Sequence, residues 1–305
     1  MVLEQPLRSF FMQLAKNKSL NKAAKKWGLK FGASQVVAGQ TLEAAMENVR
    51  KLNADGLCCT LDHLGEFVSE KEEASEATRA CIDILKAINS TGANCNLSLK
   101  LTQLGLDIDK DFCLANMRRI CEVAKSYERF IRIDMEDYSH CEQTLQLLST
   151  LRQDYDNVGT VIQAYLHRAK EDVESLKGVP LRLVKGAYKE SVSVAYQDKP
   201  TIDKNFLEII YLHLDNGSYT AIATHDHRII DQVKEYARES DIPRAQFEFQ
   251  MLYGFRKNLQ KELVKEGYKV RVYVPFGTDW FGYFMRRLAE RPQNIAFAIR
   301  GFISK

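Results

Sequence analysis

In 305 residues there is no Cys-x-x-Cys pair, no Gly-x-Gly-x-x-Gly run and no linker rich in serine or glycine. The seven cysteines are odd in number and stop at Cys141, which excludes a disulfide framework and a zinc ribbon and suits a reducing, cytoplasmic setting. No stretch reaches the ~18 uninterrupted apolar residues of a membrane span, and the first residues lack the apolar core of a signal peptide. Without a glycine fingerprint after the first strand, the main case for an open-sheet dinucleotide crevice is gone. A net charge of +3, with no arginine-rich or aromatic-interleaved stripe, argues against nucleic acid as a partner.

What charge there is lies unevenly. Residues 1–50 carry eight Lys or Arg against Glu4, Glu43 and Glu47. Two readings fit: a helical arm that touches an anionic membrane surface peripherally, or a solvated helix face. Proline is scarce, six in all, and nothing divides residues 51–305, so the sequence predicts an N-terminal helical arm (1–50) and one catalytic domain (51–305).

From Gly56 onward, short β-rich runs alternate with amphipathic stretches, the pattern of parallel βαβ units. The runs begin near Leu57, Cys95, Phe130, Val158, Leu181, Tyr219, Phe247 and Val270. Between them, segments such as 110–127 and 203–214 space apolar residues by three and four, as helices covering a sheet do. Eight repeats predict an α/β fold, a (β/α)8 TIM-type barrel, whose functional side chains belong at the C-terminal ends of the strands. Those ends read Asp62, Lys100, Asp134, Gln163, Lys185 with Gly186, Thr224 with His225, Gln250 and Tyr273. So many convergent polar groups suit a ligand better than a bare rim. After the last strand, a helix starting at Thr278 or Asp279 carries Tyr283, Arg286, Arg287 and Glu290 at helical spacing. The adjacent arginines could hold a carboxylate between two guanidinium forks; a solvated basic face is the bland alternative.

Arg182-Leu-Val-Lys-Gly-Ala-Tyr188, Tyr273-Val-Pro-Phe-Gly-Thr278 and Arg286-Arg-Leu288 together resemble the proline dehydrogenase family. Further matching stretches are Val37-Ala-Gly39, Leu61-Asp-His-Leu-Gly-Glu66, Ile133-Asp134, Gln163-Ala-Tyr165, Ala223-Thr-His225 and Phe247 to Gly254. The resemblance implies a distorted barrel holding FAD, oxidation of L-proline to the cyclic imine 1-pyrroline-5-carboxylate, and electrons passed to a membrane quinone. It implies that Lys100, Arg286 and Arg287 bind the substrate carboxylate, with Tyr188 and Tyr273 around the ring. Arg182 is then expected near the reactive edge of the flavin and Asp134 in the polar network below it. Met135, Gln163, Val184, Lys185, Gly186, Thr224 and His225 are expected to line the FAD. Lys189 follows Tyr188, where large bifunctional members carry tryptophan.

The residue types suit that chemistry. Proline arrives as a zwitterion, and its protonated nitrogen cannot assist hydride loss; cations at the carboxylate also favour release of the ammonium proton. A positive group at the flavin stabilises developing negative charge. Two rival enzymes remain from the residues alone: a Schiff-base lyase using Lys100 or Lys185, and a metal-dependent hydrolase using Asp62, His63, Asp134, His225 and His227. A non-catalytic scaffold is the third reading.

Overall fold

The computed structural model describes residues 32–65 and 68–290, with residues 10, 11, 13–15, 20, 24 and 29 before them. Eight strands run parallel: β1 (Cys58–His63), β2 (Cys95–Leu99), β3 (Ile131–Ile133), β4 (Val158–Gln163), β5 (Leu181–Val184), β6 (Thr220–Ala223), β7 (Phe247–Leu252) and β8 (Val270–Phe276). Neighbours in sequence are neighbours in space, and β8 pairs with β1 from Cys58↔Arg271 to His63↔Phe276, which closes the barrel. The predicted (β/α)8 architecture is therefore the observed one.

Helix α1 (Leu42–Ala54) precedes β1, so residue 50 lies inside a continuous helix that leads into the barrel. The connecting helices are α2 (Lys71–Thr91), α3 (Lys110–Ser126), α4 (Tyr138–Leu151), α5 (Ala169–Ser175), α6 (Lys199–Asp215), α7 (His227–Glu239) and α8 (Lys257–Lys265); α9 (Trp280–Glu290) follows β8. Short polar side chains start several of them. Thr41 accepts from Ala44 N, Asp109 from Asp111 N and Phe112 N, Asp198 from Thr201 N and Asp226 from Arg228 N, each satisfying donors that the first turn leaves open.

Alternation along the strands sorts the side chains. Leu61, Leu97, Ile133, Leu183, Ile222, Phe249 and Val272 point outward into the shell packed by the helices. Their neighbours point into the barrel, and there the usual branched aliphatic filling gives way to charge: Arg132, Arg182, Arg271, Asp134 and Glu248, all buried. Arg132 donates from Nη1 to Thr160 O (2.7 Å) and Pro180 O (2.6 Å), a reach that Gly159 permits. A Cβ at position 159 would stand 2.1 Å from Pro180 O and 3.1 Å from Arg132 Nη1.

The arm closes on the mouth end. Ala38 N donates to Pro275 O and Gly277 N to Gly39 O, tying residues 38–39 to the end of β8. Ala33, Val36 and Val37, with Leu14, Ala15 and Ala24, form a second apolar cluster with Trp280, Phe284 and Leu288 of α9. The basic residues of the arm, Arg50 excepted, lie outside the described residues, as does Glu66.

Candidate active site

A cavity of about 650 Å³ opens at the C-terminal ends of the strands, and the fourteen residues to which the family resemblance gives a substrate, catalytic or cofactor role all line it. Asp134, Met135, Gln163, Arg182, Val184, Lys185, Gly186, Thr224, His225 and Tyr273 come from strand ends or the residues just beyond. Lys100 follows β2, Tyr188 follows β5, and Arg286 and Arg287 come from α9. The side chain of Glu290 lies outside the described residues.

At the floor, Asp134 collects three donors: Arg182 Nη1 at 2.6 Å and Ser98 Oγ at 2.8 Å on Oδ1, and Tyr273 Oη at 2.7 Å on Oδ2. Such a carboxylate is orienting its neighbours, since Tyr273 gives its proton to Asp134 and keeps only lone pairs for the cavity. Burial, followed by the charge of Asp134, holds the Tyr273 hydroxyl well above the usual phenol value. The Arg182 guanidinium also lies over the Tyr273 ring, 5.2 Å from its centroid. Lys100 Nζ stands 3.3 Å from both oxygens of Asp62 and 4.0 Å from Asp134 Oδ2. Lys100, Arg182, Arg286 and Arg287 thus face the same cavity as Asp62 and Asp134.

The other side is built around Lys185 and His225. Lys185 Nζ pairs with Asp203 (2.5 Å) and Asp226 (3.4 Å), and Lys199 on α6 joins the same two carboxylates, so these charges cancel locally. Leu252 N–H donates to His225 Nε2 at 3.0 Å, so that nitrogen accepts and the ring proton of neutral His225 sits on Nδ1. Gly186 adopts φ +110, and a Cβ there would stand 2.2 Å from the Tyr165 ring. Only glycine serves at that point. Gln163 donates from Nε2 to Glu136 O, while its buried Oε1 has no partner among the described residues. On the adjacent strand, Arg182 uses Nε and Nη1, and Nη2 makes no hydrogen bond among the described residues.

The rival chemistries find less support. Among the described residues no three His, Cys, Asp or Glu side chains converge as a metal set, and Asp62 and His225 are engaged as above. Lys100 and Lys185 both act as ion-paired donors, which ties up the lone pair a Schiff base needs. A second cleft of about 690 Å³, at the N-terminal ends of β7 and β8, is lined by charges that pair with one another: Lys234 with Glu266, and Arg244 with Glu266 O and the Tyr268 ring. Sequence reading missed Ser98, Asp203 and Lys199 and gave Asp62 no role beside Lys100. Asp226, the cap immediately after His225, was the one local signal for the lysine cluster.

A sequence model of the proline dehydrogenase family matches residues 45–300. The chain belongs to the proline dehydrogenase family. Proline dehydrogenase activity, and a part in proline catabolism, comes with that membership. Proline dehydrogenase 1 of Bacillus subtilis strain 168 is 51% identical over 301 residues, 98% of this chain and 100% of that protein. The proline dehydrogenase of Deinococcus radiodurans is 41% identical over 311 residues, 99% of each chain. Among solved structures, proline utilization A from Bdellovibrio bacteriovorus, inactivated by N-propargylglycine, superposes with a TM-score of 0.80 at 28% identity, covering 85% of this chain and 32% of that one.

Proposed function

We propose that the chain oxidises L-proline to 1-pyrroline-5-carboxylate with FAD as the hydride acceptor and a membrane quinone as the next electron carrier. The observation that carries this reading is one cavity lined both by four cationic side chains, Lys100, Arg182, Arg286 and Arg287, and by a wall with unspent hydrogen-bonding atoms. Convergent cations suit a carboxylate. The wall offers an acceptor, Gln163 Oε1, and a donor, Arg182 Nη2, beside a glycine that lets a planar group approach the backbone, as a ring with both N–H and acceptor edges requires. Met135, Gln163, Val184, Lys185, Gly186, Thr224 and His225 would hold the cofactor. Bound flavin supplies the two-electron acceptor that no side chain provides.

The protein's own groups do the rest. Arg286, Arg287 and Lys100 anchor the carboxylate, while Tyr188 and Tyr273 flank the ring. Cations this close favour loss of the ammonium proton from bound proline, freeing the lone pair that assists cleavage of the adjacent C–H bond. Arg182, held by Asp134 and Gln250, faces the place where negative charge grows. Residues 1–50 form the N-terminal arm and 51–305 the catalytic barrel of a cytoplasmic protein, and the arm's basic residues make peripheral contact with anionic lipid near the quinone. No helix among the described residues is long and apolar enough to cross a membrane.

The absorption spectrum of purified protein, recorded without oxygen before and after adding proline, tests the central reading. Oxidised-flavin bands that bleach are expected. A colourless preparation that nonetheless turns over proline would overturn it.

A further inference from the structure

Behind Arg182 the barrel interior holds a directed chain of hydrogen bonds. Arg182 Nε donates to Gln250 Oε1 at 2.6 Å, and Gln250 Nε2 donates to Glu248 Oε1 at 2.6 Å. Arg271 in turn grips Glu248 with Nε at 2.7 Å and Nη2 at 3.1 Å, and Tyr219 Oη donates to Glu248 Oε2 at 2.7 Å. Glu248, Gln250, Arg182 and Arg271 are each 5% exposed or less.

An amide can turn either end toward a neighbour, and only its surroundings choose. Here the choice is forced. Burial alone would raise the pKa of Glu248, but the charge and hydrogen bonds of Arg271 outweigh it and hold the carboxyl at about 2, so it only accepts. Gln250 must therefore give its NH₂ to Glu248, which leaves its oxygen for Arg182. With Nε fixed there and Nη1 on Asp134 and Ser98, the guanidinium plane is set and Nη2 is left over for the cavity.

We infer that Glu248, which lies outside the cavity lining, is a positioning residue that fixes Arg182 by dictating the orientation of the Gln250 amide. This rests on the function proposed above. Glu248→Gln removes the dictate, because an amide there must set one donor against another at Arg271, Gln250 or Arg182. Gln250→Met breaks the relay at its middle and leaves the Glu248–Arg271 pair intact, should Glu248→Gln not fold.

The test is a double-mutant cycle of each variant with Arg182→Lys, read by stopped-flow flavin reduction with proline, by proline affinity and by thermal midpoint. In the otherwise unvaried chain, either relay variant is expected to slow the limiting rate between about tenfold and a hundredfold, as a small misplacement does, with proline affinity unchanged. In the Arg182→Lys background that extra loss should vanish, although the thermal midpoint still falls. Losses that simply multiply, or a loss confined to proline affinity, would overturn the relay alone. An unvaried chain whose flavin bands ignore proline would overturn the proposed function, and the relay with it.

Discussion

Arg182 and Arg271 lie inside the barrel, each 5% exposed, on strands whose register fixes their backbone; Arg286 and Arg287 stand part-exposed on α9, the helix packed against the arm. The inner pair is held by Asp134, Ser98, Gln250 and Glu248, with Arg182 Nη2 left for the cavity, and its position is a property of the folded barrel. The outer pair depends on how α9 sits. Charge buried among fixed partners belongs to stability and to the placement of reacting groups, whereas charge at the rim belongs to ligand capture.

Substitutions should separate the two regions. Arg271→Met leaves the buried Glu248 carboxylate with Lys269 Nζ, 3.5 Å away on a half-exposed side chain, in place of a buried guanidinium, and breaking a buried pair in this way costs ~3–5 kcal/mol. Thermal unfolding should show a drop on the order of 10 °C. An unchanged midpoint would mean that water reaches Glu248. By contrast, Arg286→Met and Arg287→Met should each raise the Michaelis constant for proline by a loss of ~2–5 kcal/mol of charge-assisted binding, with the midpoint moved by about 1 kcal/mol or less. If either variant binds proline normally, that arginine is not a carboxylate anchor.

The smallest effect lies at the surface. His140 bridges Asp107 (2.9 Å) and Asp137 (2.7 Å) across the loops after β2 and β3. Burial lowers its pKa, but hydrogen bonds to Asp107 and Asp137 outweigh that and raise it above the ordinary value of 6.5. The folded state therefore binds the proton more tightly. The resulting stabilisation is full below about pH 6.5 and fades as pH rises through the raised value. Because the carboxylates are about half exposed, His140→Asn should cost only ~0.5–1 kcal/mol at pH 6 and less at pH 9. A cost that grows with pH would contradict the assignment.

The barrel was legible because parallel strands buried by helices leave β-rich runs at regular intervals, and β4, Val158–Gln163, begins and ends where its sequence run does. Lining residues were legible because side chains at strand ends converge whatever the connecting loops do. Pairings were not. Asp62 and Lys100 are 38 residues apart, and Glu248 meets Arg271 only through the β7–β8 register, which places Gln250 opposite Arg271. Asp203 only marked the start of an amphipathic segment, 203–214, since nothing local tells that α6 brings it to Lys185.

Lys100 and Asp62 offer the most direct test of the central claim, that the cations lining the cavity free the proline nitrogen of its proton. Stopped-flow flavin reduction by bound proline should rise with pH along one ionisation and level off, with an apparent pKa well below that of the free amine. Lys100→Met removes a cation and leaves Asp62 unpaired, so the curve should move to higher pH while its plateau changes less. Asp62→Asn removes an anion, so its curve should move to lower pH and the neutral-pH rate should rise. A flat profile, or two variants that move the curve in the same direction, would contradict the electrostatic account.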